Sequence, residues 1–237
     1  VHQRAASLEA ILDLWAARDV EAACEAASRV ALSANWLVSG KDGRIAAQQS
    51  GLLPKRRRET GLLPLRGWEP GDLWDGTLPP AALARVVDPP GGVLATANDA
   101  GHGDWKPVGV TLAMGSDRAD RLRELVAERG ASGRRLEAAD LGEMQADLVS
   151  GQARRLLAAL DPYLPDLPAV RALRAWDRRY DAASKGAVLF ERLWSALGEE
   201  LFGKGLFGLE AWRALRESSL VVPFYFRLFD DVLVREE

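Results

Sequence analysis

The sequence predicts an α+β chain, and three observations carry that reading. One strong β-hairpin signal lies near the start, a long stretch rich in proline and glycine follows it, and the remainder is patterned almost wholly as helix. At 237 residues, 48% hydrophobic and 27% charged, the chain can bury one large core or two smaller ones.

The elements follow in order. Leu8, Ile11, Leu12 and Trp15 recur at i, i+3, i+4 and i+7, which predicts a helix with Ser7 as its N-cap. Asp19 is placed to cap a second helix carrying Val20, Ala23, Cys24 and Ala27 on one face. The chain then turns extended over Ala34–Ser39. Gly40-Lys41-Asp42-Gly43 supplies residues that tolerate positive φ, and Arg44–Gln49 returns as a second strand. This hairpin has no evident strand neighbour, so its edges are expected to be open.

Between residues 50 and 107 proline and glycine recur too often for long regular elements, and the segment is expected to be a packed loop anchored by Trp68, Trp74 and Trp105. One short apolar strand is expected within it, over Gly92–Ala97. From Ser116 the pattern is helical. Ala119, Leu122 and Val126 share a face, and Asp140 with Glu143 reads as a capping box ahead of Met144 and Leu148. Further helices are expected from Val170, through Val188–Leu201, near Leu209–Arg216 and near Phe224–Val234. The sequence therefore divides into 1–135, a mixed part with helices, hairpin and loop, and 136–237, a helical part.

Several chemistries are disfavoured. The net charge of −3 gives no field that favours nucleic acid or anionic lipid, and Lys55-Arg56-Arg57-Arg58 reads as a solvated loop. The most apolar stretch, Leu220–Val234, is interrupted by Arg227, Asp230 and Asp231, so no membrane span is expected. Cys24 stands alone, and only His2 and His102 could supply imidazole, so neither a disulfide nor a histidine metal site is expected. Gly203-x-Gly205-x-x-Gly208 has dinucleotide-loop spacing but follows a helical pattern rather than a strand, so it reads as a helix stop. His102, within Gly101-His102-Gly103-Asp104-Trp105, reads as a loop residue. On residues alone, the yield is a mostly helical α+β segment.

A resemblance adds more. Asn35-Trp36-Leu37-Val38 with Asp42-Gly43-Arg44-Ile45 and Gly51-Leu52-Leu53-Pro54 resembles the hairpin of the penicillin acylase (penicillin amidase) family of N-terminal-nucleophile hydrolases. In order, Gly67-Trp68, Trp74-Asp75-Gly76, Asp88-Pro89-Pro90-Gly91-Gly92 and Ala95-Thr96-Ala97-Asn98 are similar to its long loop. Asp117-Arg118-Ala119-Asp120-Arg121-Leu122, Gln145-x-Asp147-x-x-Ser150 and Leu173-x-x-Trp176-Asp177 are similar to its helical region. Each piece is weak alone, while the ordered set spans nearly the whole chain and reads as an internal portion of the β-chain.

The resemblance implies a share of a four-layer αββα hydrolase core, here a hairpin and a short strand, with a mostly helical domain attached. It implies hydrolysis of the amide of an N-acylated small molecule, of β-lactam, acyl-homoserine lactone or lipopeptide type. In such chemistry a self-cleaved N-terminal Ser, Thr or Cys attacks and its own amino group serves as base, so no histidine and no cofactor is needed. Asn98 is implied as an oxyanion donor and Arg118 as the arginine near the catalytic centre. Without the resemblance, Asn98 would read as a turn residue and Arg118 as a solvated helix-start residue.

Val1 is no nucleophile, so the attacking residue and other acylase segments, the α-chain and the rest of the β-chain, are expected outside this chain. Asp99, Asp104 and Asp117 fall where calcium-binding members place a carboxylate, but none aligns, and no metal is expected. Periplasmic or extracellular localisation is implied by the resemblance only. The second reading is a non-catalytic helical interaction or scaffold protein derived from the same framework.

Overall fold

The computed structural model describes residues 7–56, 65–109, 115–131, 133, 135–217 and 230–231. They form two compact units, Val1–Ala113 and Met114–Glu237. The break thus falls before the helix that opens at Asp117. That helix packs on later helices, and this assigns it to the second unit even though composition places the change near 135. Arg57 and Arg58 of the basic run, and most of the pattern over Phe224–Val234, lie outside the described residues.

The first unit begins with α1 (Ser7–Ala16) and α2 (Val20–Ser28). Asp19 caps α2 as expected, its carboxylate accepting from the Ala22 N–H at 2.7 Å. Ser7 is already helical, and its hydroxyl accepts from the Ala31 N–H. The periodic face of α1 is not covered in this unit. Leu8, Leu12 and Trp15 are 70%, 52% and 79% exposed, and Ala10 is the residue that is buried. A 3.6-residue period shows that a helix has an apolar face; what covers that face depends on segments the period does not contain.

β1 (Ala34–Ser39) and β2 (Ile45–Ser50) pair antiparallel, from Ala34 opposite Ser50 to Ser39 opposite Ile45. Gly43 closes the turn at φ +88°, a conformation in which a β-carbon is unfavourable. The third strand, β3, is Arg85–Val87, paired antiparallel with β2 through Ala46 opposite Val87. The expected strand over Gly92–Ala97 is absent: those residues are irregular and Val93 is largely exposed. Strand formation needs a partner for the backbone, and β2 takes Arg85–Val87 before Pro89 and Pro90 end the run. β3 also covers the β2 edge of the hairpin, so among the described residues β2 is central and β1 and β3 are the sheet edges.

α2 packs against β1 and β2, and Val20, Cys24 and Ala46 form the contact, flanked by Val38 and Val87. Cys24 is fully buried there, and burial pushes its thiol pKa up. The thiol is therefore expected to be inert to Ellman's reagent in the native chain and to react once denaturant opens the unit. Full labelling of the native chain within minutes would contradict this packing.

The second unit contains α3 (Asp117–Gly130), α4 (Ala138–Gln145), α5 (Gly151–Leu160), α6 (Pro168–Ala175), α7 (Lys185–Gly198) and α8 (Leu209–Glu217). The capping box of α4 lies one turn earlier than expected: Glu137 is the N-cap and Asp140 the reciprocal partner, its carboxylate accepting from the Glu137 N–H at 2.8 Å. Leu148 falls outside α4, because Ser150 starts a new helix by accepting from the Ala153 N–H. The glycine motif serves as a helix stop. α7 runs into a π-helical turn, Glu199–Phe207, and Gly208 ends it at φ +87°.

Leu156, Leu157, Leu173, Trp176 and Phe190 form the core of this unit, drawn from α5, α6 and α7. A buried carboxylate, Asp230, joins α5 to α7 by accepting from Gln152 Nε2 and Trp194 Nε1, both at 2.6 Å. Burial pushes its pKa up against those two hydrogen bonds.

Candidate functional site

In the first unit, the segment that carries Asn98 is clamped to the hairpin at both ends. At its start, the Asp88 carboxylate accepts from Arg44 Nε at 2.7 Å and from the Ile45 N–H at 3.0 Å. These bonds hold the Asp88 carboxyl below the usual carboxylate range, Arg44 contributing most. At its end, Gln49 on β2 fastens Val108 twice. Its Nε2 donates to the Val108 carbonyl at 2.7 Å, and its Oε1 accepts from the Val108 N–H at 2.9 Å. The same Oε1 accepts from the Ala84 N–H. Gln49 is buried, so these bonds satisfy a side chain that would otherwise be costly to desolvate.

Between the clamps the segment folds into tight turns. The Ala97 N–H donates to the Asp99 carboxylate at 3.1 Å, and Asp99 is itself buried. Asn98 sits between them, exposed, with φ +66°. Asn is the residue class, after glycine, that tolerates this conformation best. Asn35 Nδ2 reaches Thr96 Oγ1 at 3.4 Å, tying this stretch to β1. Gly101 follows at φ +93°, and a β-carbon there would overlap the Trp105 carbonyl, so the His102–Trp105 turn requires glycine at 101. His102 lies in that turn, a loop residue as the sequence predicts.

Arg118 belongs to the second unit. It is the second residue of α3 and is exposed. The helix start is positioned from α5: a β-carbon at Gly151 would come within 3.2 Å of Asp117, and Arg155 Nε lies 3.6 Å from the Asp117 carboxylate. The structure also brings together two segments that the sequence reading treated separately. Arg121 Nε donates to the Asp147 carboxylate at 3.0 Å, with both side chains largely buried. Asp147 in turn accepts from the Val149 N–H, which shapes the turn into α5. Burial alone would raise the Asp147 pKa; Arg121, the Val149 N–H and Arg179 outweigh it and bring the carboxyl below its usual range. Arg121–Asp147 is thus the structural pair that fixes α3, one turn along from Arg118. Spacing could not reveal it, because the partners are 26 residues apart.

Among the described residues no group of three or more His, Cys, Asp or Glu is placed to hold a metal ion. No described helix is long and apolar enough to cross a membrane.

The model of the Penicillin amidase family matches residues 1–232. The chain belongs to the penicillin amidase family. Among curated relatives, it is 32% identical over 193 residues to the penicillin acylase 2 proenzyme of Pseudomonas sp. (strain SE83), covering 79% of this chain and 23% of that protein. It is 29% identical over 216 residues to the acyl-homoserine lactone acylase QuiP of Pseudomonas putida, covering 83% of this chain and 26% of that protein. This penicillin amidase chain therefore spans about a quarter of the length of the curated relatives it matches. The fold is also similar to a thermostable penicillin G acylase from Alcaligenes faecalis, with TM-score 0.68, 23% identity, and coverage of 88% of this chain and 39% of that one. The α+β class expected of a penicillin amidase is therefore the class observed, with eight α-helices and a three-stranded antiparallel sheet among the described residues.

Proposed function

We propose that this chain is part of an acylase that hydrolyses the amide bond of an N-acylated small molecule, with the attacking N-terminal nucleophile supplied by sequence outside the chain. The observation that carries this reading is the family match over residues 1–232. Penicillin acylase and acyl-homoserine lactone acylase relatives supply the two substrate types to test. In this reading Asn98 donates its side-chain amide to the oxyanion of the tetrahedral intermediate. Its exposed position in a segment clamped at both ends suits a preorganised donor, because the bond then costs little reorganisation in the transition state. Arg118 supplies positive charge near the catalytic centre and favours the uncharged amine as base. A periplasmic or extracellular setting and self-cleavage of a precursor complete the proposal.

The 237-residue chain alone is expected to hydrolyse neither a chromogenic phenylacetyl amide nor an acyl-homoserine lactone, because Ser7, Ser33 and Cys24 are internal and have no adjacent free amine. The same sequence expressed with its flanking coding region is expected to turn over at least one of them. Turnover by the isolated chain, abolished by a serine-directed acylating inhibitor, would place the nucleophile inside it. Failure of the flanked, processed protein on both substrates would remove the acylase reading and favour the scaffold alternative.

A further inference from the structure

A cavity of about 440 Å³ opens on the helical unit between α5, α6 and the segment joining them. Its volume lies within the range of small-molecule pockets, roughly 300–1,000 Å³. Its apolar wall is built from Leu157, Leu164 and Leu173, of which Leu157 and Leu173 belong to the buried core. Three guanidinium groups, those of Arg154, Arg174 and Arg178, and one carboxylate, that of Asp161, stand around that wall.

The three are not equivalent. Arg154 pairs with Glu124 at 3.0 Å and Arg174 with Asp161 at 2.6 Å. Arg178 donates to the Arg174 carbonyl at 3.2 Å and has no carboxylate within ion-pair distance among the described residues. Its backbone is also in the left-handed region, at φ +67°. That conformation belongs to the turn in which the Arg178 carbonyl accepts from the Ser150 N–H at 2.9 Å, and it fixes the backbone from which the side chain departs. The lining therefore combines a leucine wall with a net positive rim in which one cation lacks a counter-ion.

The geometry points to a binding site for an aliphatic monocarboxylate, its chain lying on Leu157, Leu164 and Leu173 and its carboxylate meeting Arg178. Guanidinium and carboxylate match as planar partners that can form two parallel hydrogen bonds. The leucines remove the chain from water, and neither feature alone would hold such a ligand. The chemistry of the ligand follows from the pocket. Its source, the acid released when an N-acyl amide is hydrolysed, rests on the acylase reading above.

Calorimetric titration of the purified chain with decanoate, decanol and acetate tests the site without requiring turnover, so the outcome is independent of the acylase proposal. Decanoate is expected to bind saturably at one site. Decanol and acetate are expected to bind at least about tenfold more weakly, since each lacks one half of the interaction. Arg178→Gly suits the observed φ and removes the guanidinium, so it is expected to leave the unfolding temperature unchanged or raised while weakening decanoate at least about tenfold. Arg178→Asn, which also tolerates this backbone, serves as the second variant and is expected to behave alike. Decanol binding as tightly as decanoate, unchanged affinity in both variants, or no saturable binding would each overturn the assignment.

Discussion

On the acylase role proposed for Asn98, Asn98→Gly in the complete protein is expected to lower kcat by about a hundred- to a thousandfold, the usual loss for one oxyanion donor, roughly 3–4 kcal/mol. KM should change far less, because the hydrogen bond strengthens mainly as negative charge develops in the transition state. Glycine is the informative replacement because Asn98 has φ +66°. Alanine would remove the amide and add left-handed strain together, and a loss of activity could then come from either. Asn98→Asp should be at least as harmful as glycine, since it sets a negative charge against the developing oxyanion. Processing must be confirmed on a gel before kinetics are read. A correctly processed Asn98→Gly enzyme with near-normal kcat would return Asn98 to the role of a turn residue between Ala97 and Asp99.

The largest stability effect is expected at Phe190. Its side chain is 1% exposed and lies among Leu156, Leu157, Leu173 and Trp176, with its ring centroid 6.0 Å from that of Trp176. Phe190→Ala should cost about 3–5 kcal/mol, the lost transfer free energy of the ring plus the cavity left by neighbours that cannot collapse into it. Collapse is limited on one side by close packing: a β-carbon at Gly186 would already overlap the Trp176 indole. Total stability is typically about 5–15 kcal/mol, so this one change removes a large share of it. Amide hydrogen exchange across α5, α6 and α7 reads the helical unit by itself, and protection there should fall accordingly. Val188→Ala, two residues away on the exposed side of α7, should cost no more than about 0.5 kcal/mol. Equal losses of protection in the two variants would mean that this core is not packed as described.

Particular residues show where legibility stopped. The hairpin and its turn were readable because Gly40-Lys41-Asp42-Gly43 carries its own conformational preference, and the glycine stop at 203–208 because a dinucleotide loop needs a strand that is not there. The third strand was misplaced because apolar character alone does not choose a strand. β2 bonds to Arg85–Val87, only partly apolar, and leaves Gly92–Ala97 irregular. Gln48 and Gln49 fall within the expected second strand, but no local pattern marks them as buried, or Gln49 as the residue that holds the segment bearing Asn98. Asn98 and Arg118 were reached through ordered similarity to a family; their residue types alone would have left both unremarked.

What the sequence determined by itself is local or cumulative: the turn chemistry, most of the helix periods, the cap at Asp19, the α+β class, and membership of a family through motifs in order. What only the tertiary structure decided is which partners those elements take. It placed β3 against β2, left Leu8, Leu12 and Trp15 exposed on α1, joined Arg121 to Asp147, and put Arg178 beside a leucine-lined cavity. The physical reason is separation along the chain. A turn or a cap is an interaction among neighbours whose preferences are written within a few residues. A strand partner, a buried ion pair or a pocket is set by the free energy of bringing distant residues together, and no local pattern encodes that choice.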